Sequence, residues 1–423
     1  MADRELFPLS LGVALATFTT HWAVWGLGLM GVLWLLRWLG RGRLTVCTPV
    51  DWPVYLLLLM IPVTFYATAD RLSTFAAISR LLAGLALVYG MANWAKSSAH
   101  VTLMAFGLVW VGLGLALIAP VSVGWFSNVK LFVIPARVYS LFPTLTSNTI
   151  HPNMMAGVLV MLLPFPLVLL LLDLSDSLPS VVGTVPGIVA RMLDRHWFRR
   201  LSCGVAILLM LTVLVLTKSR GGWIAGGVAL FLILVHRRWR YFLWLIPIVL
   251  VGMSVFIWHG DLPMLLDRIS SSGAISGWEV RVEIWNRALY MIQDFPFTGI
   301  GAGTFDTVAN VLYPFFLAGS NAQVGHAHNL LLQIAVDLGL PGLIACLSIL
   351  IIASCGALDS VQFYRRADNK ALETLAWAGI ASLTGMLVHG TLDATTWIIG
   401  RGAFAPFAVI GMLMALMGRP EVE

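Results

Sequence analysis

The chain has 423 residues, of which 59% are hydrophobic and only 11% are charged. A soluble domain carries about 25% charged residues, so this chain has too little polar surface to cover a globule. This composition excludes a soluble enzyme, a disordered tail and a nucleic-acid-binding module. The net charge of +6 is therefore more typical of basic loops beside a membrane than of a nucleic-acid partner.

Apolar runs separated by charged, proline and glycine clusters predict an all-α fold, a polytopic membrane helix bundle of about 12 transmembrane helices. The whole chain, 1–423, is predicted to form a single integral membrane domain. The predicted spans are 6–20, 22–38, 51–68, 73–93, 101–120, 152–172, 201–217, 221–235, 241–259, 340–358, 371–391 and 402–418.

Lysine and arginine residues orient the bundle, because cytoplasmic loops carry an excess of them. With the N-terminus in the cytoplasm, sixteen of these residues lie inside and nine outside, while Arg80 lies within a span. Both termini are therefore predicted to be cytoplasmic. The longest loop, 260–325, then lies outside, and a loop of that length is more often functional than a simple connector.

The first polar segment on the outer side stands where a loop enters the span 152–172. His151 and Asn153 lie at this entry. Their side chains can hydrogen-bond a sugar or cap the helix, and capping is the favoured interpretation. His389 and Asp393 end another span on the same side, where a helix-end role is the simpler explanation.

The second polar segment places Lys218 and Arg220 at the outer end of two spans. An arginine there can extend towards lipid headgroups. The alternative is an anion site, because the guanidinium forms a planar fork that matches phosphate and the lysine adds a point charge.

The long loop contains a predicted amphipathic helix, which lies on the mouth of the bundle or in the headgroup layer. Its apolar stripe recurs every three or four residues, at Trp278, Val282, Trp285, Leu289 and Ile292. Glu283 and Arg287 are spaced as an ion pair on the helix surface. Arg281 has no such partner on its own turn.

The strongest local pattern is Gly325-His326-Ala327-His328-Asn329, followed by an apolar helix. Histidine exchanges protons near neutral pH, so this segment can supply a base. The alternative is a helix N-cap region with interfacial imidazoles. A zinc site would need a third and a fourth ligand, and the outer loops offer few carboxylates at ligand spacing, so no metal is predicted.

These segments share the outer side of the membrane. Guanidinium groups and a histidine beside lipid suit a lipid-linked diphosphate whose sugar is transferred, because the departing diphosphate needs positive charge and the attacking hydroxyl needs a base. The outer loops contain no DxD-type pair of carboxylates. Arginine is therefore expected to take the place of a divalent metal.

The segment 217–342 resembles the O-antigen ligase and Wzy-type polymerase superfamily. The ligase pattern is His, then Asn, Ser or Gln, nine residues, Gly, two residues, and Gly, Thr or Tyr. It is met here by His328-Asn329, Gly339 and Gly342. Blocks similar to those of the family also occur, in the family's order, at Ser219-Arg220-Gly221, Arg281 to Trp285 and Gly299 to Phe305, with a looser one around Pro152-Asn153.

The resemblance implies a GT-C-like, inverting glycosyltransferase in a bacterial inner membrane, with its site and the large loop facing the periplasm. Its donor would be a glycan on undecaprenyl diphosphate, and its acceptor a hydroxyl of the lipid A core, another lipid, a protein or a growing glycan. No cofactor, metal or nucleotide is implied. By motif position His328 would be the base, and Arg220 and Arg281 would bind the diphosphate.

Proximity adds two further candidates, Lys218 and His326. Lys218 is expected to assist the arginines, and the possible substrate-binding residues are His326, Asn329, Asn153 and His151. Three other functions are weighed against the ligase. A Wzy-type polymerase uses the same motifs, a small-anion (bicarbonate-type) transporter would place its charges nearer the bilayer midplane, and a structural scaffold leaves the His and Arg blocks unexplained.

Overall fold

The computed structural model describes residues 6–18, 20–125, 136–143, 149–184, 187–237, 274–317, 324–398 and 400–420. Within these ranges the regular secondary structure is helical, apart from one isolated bridge between Val123 and Ile150. The predicted all-α class is therefore confirmed for the described part of the chain.

Sixteen α-helices occur in the described ranges. They are α1 (Leu6–Phe18), α2 (Ala23–Arg41), α3 (Asp51–Ala67), α4 (Arg71–Trp94), α5 (Ser98–Ser122), α6 (Ala136–Tyr139), α7 (Pro152–Leu162), α8 (Pro164–Leu174), α9 (Gly187–Leu193), α10 (His196–Leu216), α11 (Arg220–Arg237), α12 (Ala274–Asp294), α13 (Phe305–Leu312), α14 (Leu330–Arg366), α15 (Lys370–Gly390) and α16 (Phe404–Met417). A 3₁₀ turn, Arg401–Ala403, precedes α16.

Seven helical stretches among the described residues are long and apolar enough to cross a membrane. They are α2, α4, α5, α7 with α8, α10, α14 and α15. Shorter apolar helices occur at Leu6–Phe18, Asp51–Ala67, Arg220–His236 and Arg401–Met417. These eleven stretches overlap eleven of the predicted spans. The remaining one, 241–259, lies outside the described residues, so the number twelve stays a prediction.

Helix α15 lies at the centre of the bundle, where it packs against α7, α8, α11, α14 and α16. Small residues allow these close contacts. A Cβ atom on Gly379 would lie 2.4 Å from the Leu413 side chain, and one on Gly157 would lie 3.0 Å from the imidazole of His389. This packing gathers the start of α7, the start of α11, the start of α14 and the end of α15 at one end of the bundle.

Helix α14 is interrupted at Gly339, whose φ of 68° and ψ of −176° are not helical. The break separates a nine-residue segment, 330–338, from the long part that follows it. At the break the chain meets the turn after α12: Leu340 N donates to Pro296 O at 2.7 Å, and Ile300 N donates to Val336 O at 2.9 Å. The predicted span 340–358 begins at this break.

Helix α12 confirms the amphipathic helix predicted in the long loop, but of the predicted apolar stripe only Ile292 packs against the buried cluster beneath the helix. The residues that pack are Ile284, Ala288 and Met291, which are buried together with the turn that follows α12. Trp278 and Leu289 of the stripe are about half exposed. This exposed part of the stripe therefore faces away from the bundle, towards the surroundings that an interfacial helix contacts. Arg287 and Glu283 form the predicted ion pair, at 3.8 Å.

The break in α14 gives a stability prediction. A Cβ atom on Gly339 would lie 2.7 Å from the backbone of Phe297, and its positive φ disfavours any L-residue. We expect Gly339→Ala to lower the free energy of unfolding in detergent by about 1–3 kcal/mol. Gly28→Ala is the control, since a Cβ there meets nothing within 4 Å. Equal stability of the two variants would show that this close approach is not required.

Candidate functional site

The carboxylate of Asp393 is the centre of the polar cluster at this end of the bundle. Asp393 lies in the turn after α15 and is only 2% exposed. Its Oδ2 accepts a hydrogen bond from Asn153 Nδ2 at 2.8 Å, and its Oδ1 accepts one from the backbone N–H of Thr395 at 2.9 Å. Two segments far apart in sequence therefore meet at one buried negative charge.

Both histidines of the His-Ala-His segment face this carboxylate. His328 Nδ1 lies 4.0 Å from Asp393 Oδ2, and the ring centroids of His326 and His328 are 4.2 Å apart. One ligand atom from each of the three residues lies within 4.8 Å of the others. His326 Nδ1 accepts the backbone N–H of His328 at 3.1 Å, in a turn where His328 has a positive φ of 48°.

A buried polar network holds this turn in place. Ala327 N donates to Gln333 Oε1 at 2.7 Å, and Gln333 Nε2 donates to Asp337 Oδ1 at 2.9 Å. Asp337 also accepts the N–H of Gly303 at 3.1 Å and Trp397 Nε1 at 3.0 Å. The network joins the His turn to the Gly-rich turn before α13 and to the loop that carries Asp393.

Two predicted substrate-binding residues serve as helix caps. Asn329 Oδ1 accepts the N–H groups of Leu331 and Leu332, and its Nδ2 donates to Thr391 O at 3.2 Å. His151 Nδ1 accepts the N–H of Asn153 at 3.2 Å, at the start of α7. The capping interpretation thus describes Asn329 and His151, whereas the side chain of Asn153 reaches Asp393 instead.

Arg281 lies within electrostatic range of the same centre. Burial lowers the pKa of Arg281, the charge of Asp393 raises it, and the charge of Arg220 lowers it. Arg220 is exposed and is the first residue of α11. The two arginines predicted to bind diphosphate are therefore within electrostatic range of each other, and Arg281 is also within range of the carboxylate.

Lys218 has a different contact from the one expected. Its Nζ lies 4.4 Å from the ring centroid of Tyr139, and its φ is 53°. Tyr139 in turn donates from its hydroxyl to Leu216 O at 2.9 Å. This cation–π contact fixes the lysine beside α6, two residues before Arg220.

The protonation states follow from burial and from the neighbouring charges. The pKa of His328 is lowered to about 3, mainly by burial and then by the charge of His326, while the charge of Asp393 opposes the change. Burial alone would raise the pKa of Asp393, but His326, His389 and a hydrogen bond from Thr395 bring it below its ordinary value. At neutral pH the site therefore pairs a neutral imidazole with an ionised carboxylate.

Several buried polar atoms around Asp393 have no hydrogen-bond partner among the described residues. They are His328 Nδ1, both ring nitrogens of His389, Asn153 Oδ1 and the hydroxyls of Thr395 and Thr396. An unpaired buried polar atom costs free energy and is commonly satisfied by an ordered water or an ion. The cluster is thus shaped to hold a small polar group.

Asp393 is the residue that the sequence interpretation undervalued. From the sequence, a role at the end of a helix was the simpler explanation for both Asp393 and His389. In the structure its carboxylate binds Asn153 and lies beside His328. The available signal was a charged residue at the end of an apolar span, on the same side of the membrane as the His turn.

The Asn153–Asp393 hydrogen bond gives the second prediction. Asn153→Ala leaves a buried carboxylate with one donor fewer, so we expect the free energy of unfolding to fall by about 1–3 kcal/mol. Asn310→Ala is a matched control, because Asn310 donates to the Asp306 carboxylate at 3.0 Å on an exposed surface. Thermal unfolding of both variants in detergent checks this; an equal loss in the two would contradict a special role for the buried bond.

Comparison with known families was consistent with the sequence motifs. Residues 205–347 match the family model described as O-antigen ligase. The matched segment includes Arg220, Arg281, His326 and His328, whereas Asp393 lies beyond it. The resemblance inferred from the motifs is therefore confirmed. A search of curated proteins found no match.

Proposed function

Given this similarity to O-antigen ligases, we propose that the chain is an inverting membrane glycosyltransferase that moves a glycan from undecaprenyl diphosphate to a hydroxyl acceptor on the periplasmic side. The acceptor is the lipid A core or another component of the envelope. One observation carries the proposal: ligand atoms of His326, His328 and Asp393 lie within 4.8 Å of one another, with Arg281 in electrostatic range of the carboxylate.

His328 is the proposed general base. Its Nδ1 is directed at Asp393, so Nε2 is the nitrogen that receives the proton. The acceptor oxygen attacks the anomeric carbon and loses its proton to Nε2. At the same time the bond between that carbon and the diphosphate oxygen breaks, the leaving group takes the electron pair, and the configuration inverts.

Asp393 positions this base and stabilises its protonated form. An imidazole whose pKa is about 3 is a weak proton acceptor. The carboxylate 4.0 Å from Nδ1 stabilises the imidazolium as it forms, and so does the negative charge of the diphosphate. The donor lipid therefore helps to create the base that the reaction requires.

Arg220 and Arg281 are the proposed diphosphate ligands, with Lys218 adding a charge at the same end of α11. Guanidinium forks bind phosphate oxygens in pairs, and their charge opposes the charge that develops on the leaving group. In this proposal the arginines take the role that a divalent metal has in other transferases, so transfer needs no added cation.

The direct test is a transfer assay. The purified protein is incubated with a labelled undecaprenyl-diphosphate glycan, without added metal, together with separate envelope fractions as acceptors. Label in a lipid A core fraction supports a ligase, whereas lengthening of the donor glycan itself supports a Wzy-type polymerase. No transfer to any fraction would contradict the proposed class of reaction.

The base assignment gives the third prediction. We expect His328→Ala to keep the fold, since the side chain is partly exposed, and to reduce transfer by at least about 100-fold through loss of the base. Thermal unfolding is measured beside transfer, and His21→Ala, at an exposed histidine, is the control. Transfer by His328→Ala at the rate of the control would exclude His328 as the base.

The arginine fork gives the fourth prediction. Arg220→Lys keeps the positive charge but loses the paired hydrogen bonds, so we expect transfer to fall by about 10- to 100-fold. Arg71→Lys is the control, because Arg71 is exposed at the start of α4. If lysine at position 220 supports full transfer, binding by a bidentate fork is wrong.

A further inference from the structure

We propose that His326, His328 and Asp393 form a Zn²⁺ site, and that zinc bound there blocks glycan transfer. The sequence alone predicted no metal, because it showed two histidines and lacked a third ligand at suitable spacing. Folding supplies that ligand from the turn after α15. The binding half of the proposal stands on geometry alone, and the inhibitory half rests on the proposed function.

The distances suit a small tetrahedral ion. The three candidate ligand atoms lie within 4.8 Å of one another, and His328 Nδ1 is 4.0 Å from Asp393 Oδ2. Zinc bonds to nitrogen and oxygen are about 2.0–2.2 Å long, which places tetrahedral ligand atoms about 3.4 Å apart. The His328–Asp393 pair therefore needs to close by well under an ångström.

The buried atoms without partners support the same position. His328 Nδ1 is buried and has no hydrogen bond within the described part of the chain, although it points at a carboxylate. A metal ion would give this nitrogen its partner. A water in the fourth coordination position would then face the other unpaired groups nearby, which include Asn153 Oδ1 and the imidazole of His389.

Asp393 already has the supporting contacts typical of a metal ligand. Asn153 Nδ2 and the N–H of Thr395 each bind one of its oxygens, which fixes the orientation of the carboxylate. His326 has to adjust, because its Nδ1 accepts the N–H of His328 at 3.1 Å. If zinc binds Nδ1, this nitrogen can no longer accept the hydrogen bond. If zinc binds Nε2, Nδ1 must carry the imidazole proton and again cannot accept the bond.

The donor set selects the cation. Two imidazoles and one carboxylate suit zinc, whereas Mg²⁺ and Ca²⁺ prefer sites made of oxygen atoms. Only one of the three ligands is negative, and Arg281 lies in electrostatic range of it, so weakly coordinating cations are further disfavoured. Zinc on Nδ1 replaces the contact between His328 and Asp393 and leaves the imidazole proton on Nε2, so the proposed base has no free nitrogen to accept the proton of the acceptor hydroxyl.

Zinc binding is measured on the purified full chain by competition with a fluorescent zinc indicator. The Cys47→Ser/Cys355→Ser background is used because both thiols are exposed. We expect one zinc per chain, no competition by Mg²⁺, and at least about tenfold weaker binding in His326→Ala and Asp393→Asn. His21→Ala is the matched control. Co²⁺ in the same protein should show the visible absorption of a tetrahedral site.

Absence of saturable zinc binding, or equal weakening by His21→Ala, overturns the site. In the transfer assay zinc should inhibit and a chelator should restore activity; unimpaired transfer at saturating zinc overturns the inhibitory role. The two proposals fail separately. Transfer without zinc binding leaves the function and removes the site, whereas zinc binding without transfer under any condition leaves the site and removes the function.

Discussion

The arrangement of this end of the bundle depends on one buried negative charge. Removing a carboxylate from water is costly unless hydrogen bonds and opposite charges replace its hydration. Asp393 obtains its hydrogen bonds from the start of α7 and from its own turn, and His328 of the turn before α14 lies beside it. Because these donors belong to separate segments, the carboxylate fixes where the segments meet. The same charge that orders the fold locally is also the group that orients the proposed base.

A close contact between the backbones around Gly299 and Gly339 helps to hold the segments that surround Asp393. Gly299 and Gly339 have positive φ values, and each brings its chain against the other segment's backbone. The contact anchors the short segment 330–338, whose Gln333 and Asp337 hold the His turn. A continuous membrane helix could not do this, because its backbone groups would be used within the helix. The break in α14 therefore leaves a half-helix that supports the His turn, while the rest of the helix belongs to the bundle.

The sequence predicts the helical class well, because long apolar runs in a chain with few charges have few other solutions. It also predicts α12, but not the face by which α12 packs. In a membrane protein apolar residues face outwards as well as inwards, so the stripe at Trp278 and Leu289 did not reveal that Ile284 and Met291 form the contact. His328 and Arg220 follow from local motifs. Asp393 could not be predicted in this way, because a single sequence does not show which distant segments are in contact.

The exposed stripe of α12 has a consequence for where the arginines operate. Trp278, Val282 and Leu289 face outwards on the same helix that carries Arg281 on its inner flank. Exposed aromatic and aliphatic side chains anchor an amphipathic helix at the boundary between the acyl chains and the headgroups. If Arg281 binds the lipid diphosphate as proposed, a helix held at this boundary would set the guanidinium at the level of lipid phosphates, where a carrier diffusing in the bilayer can meet it.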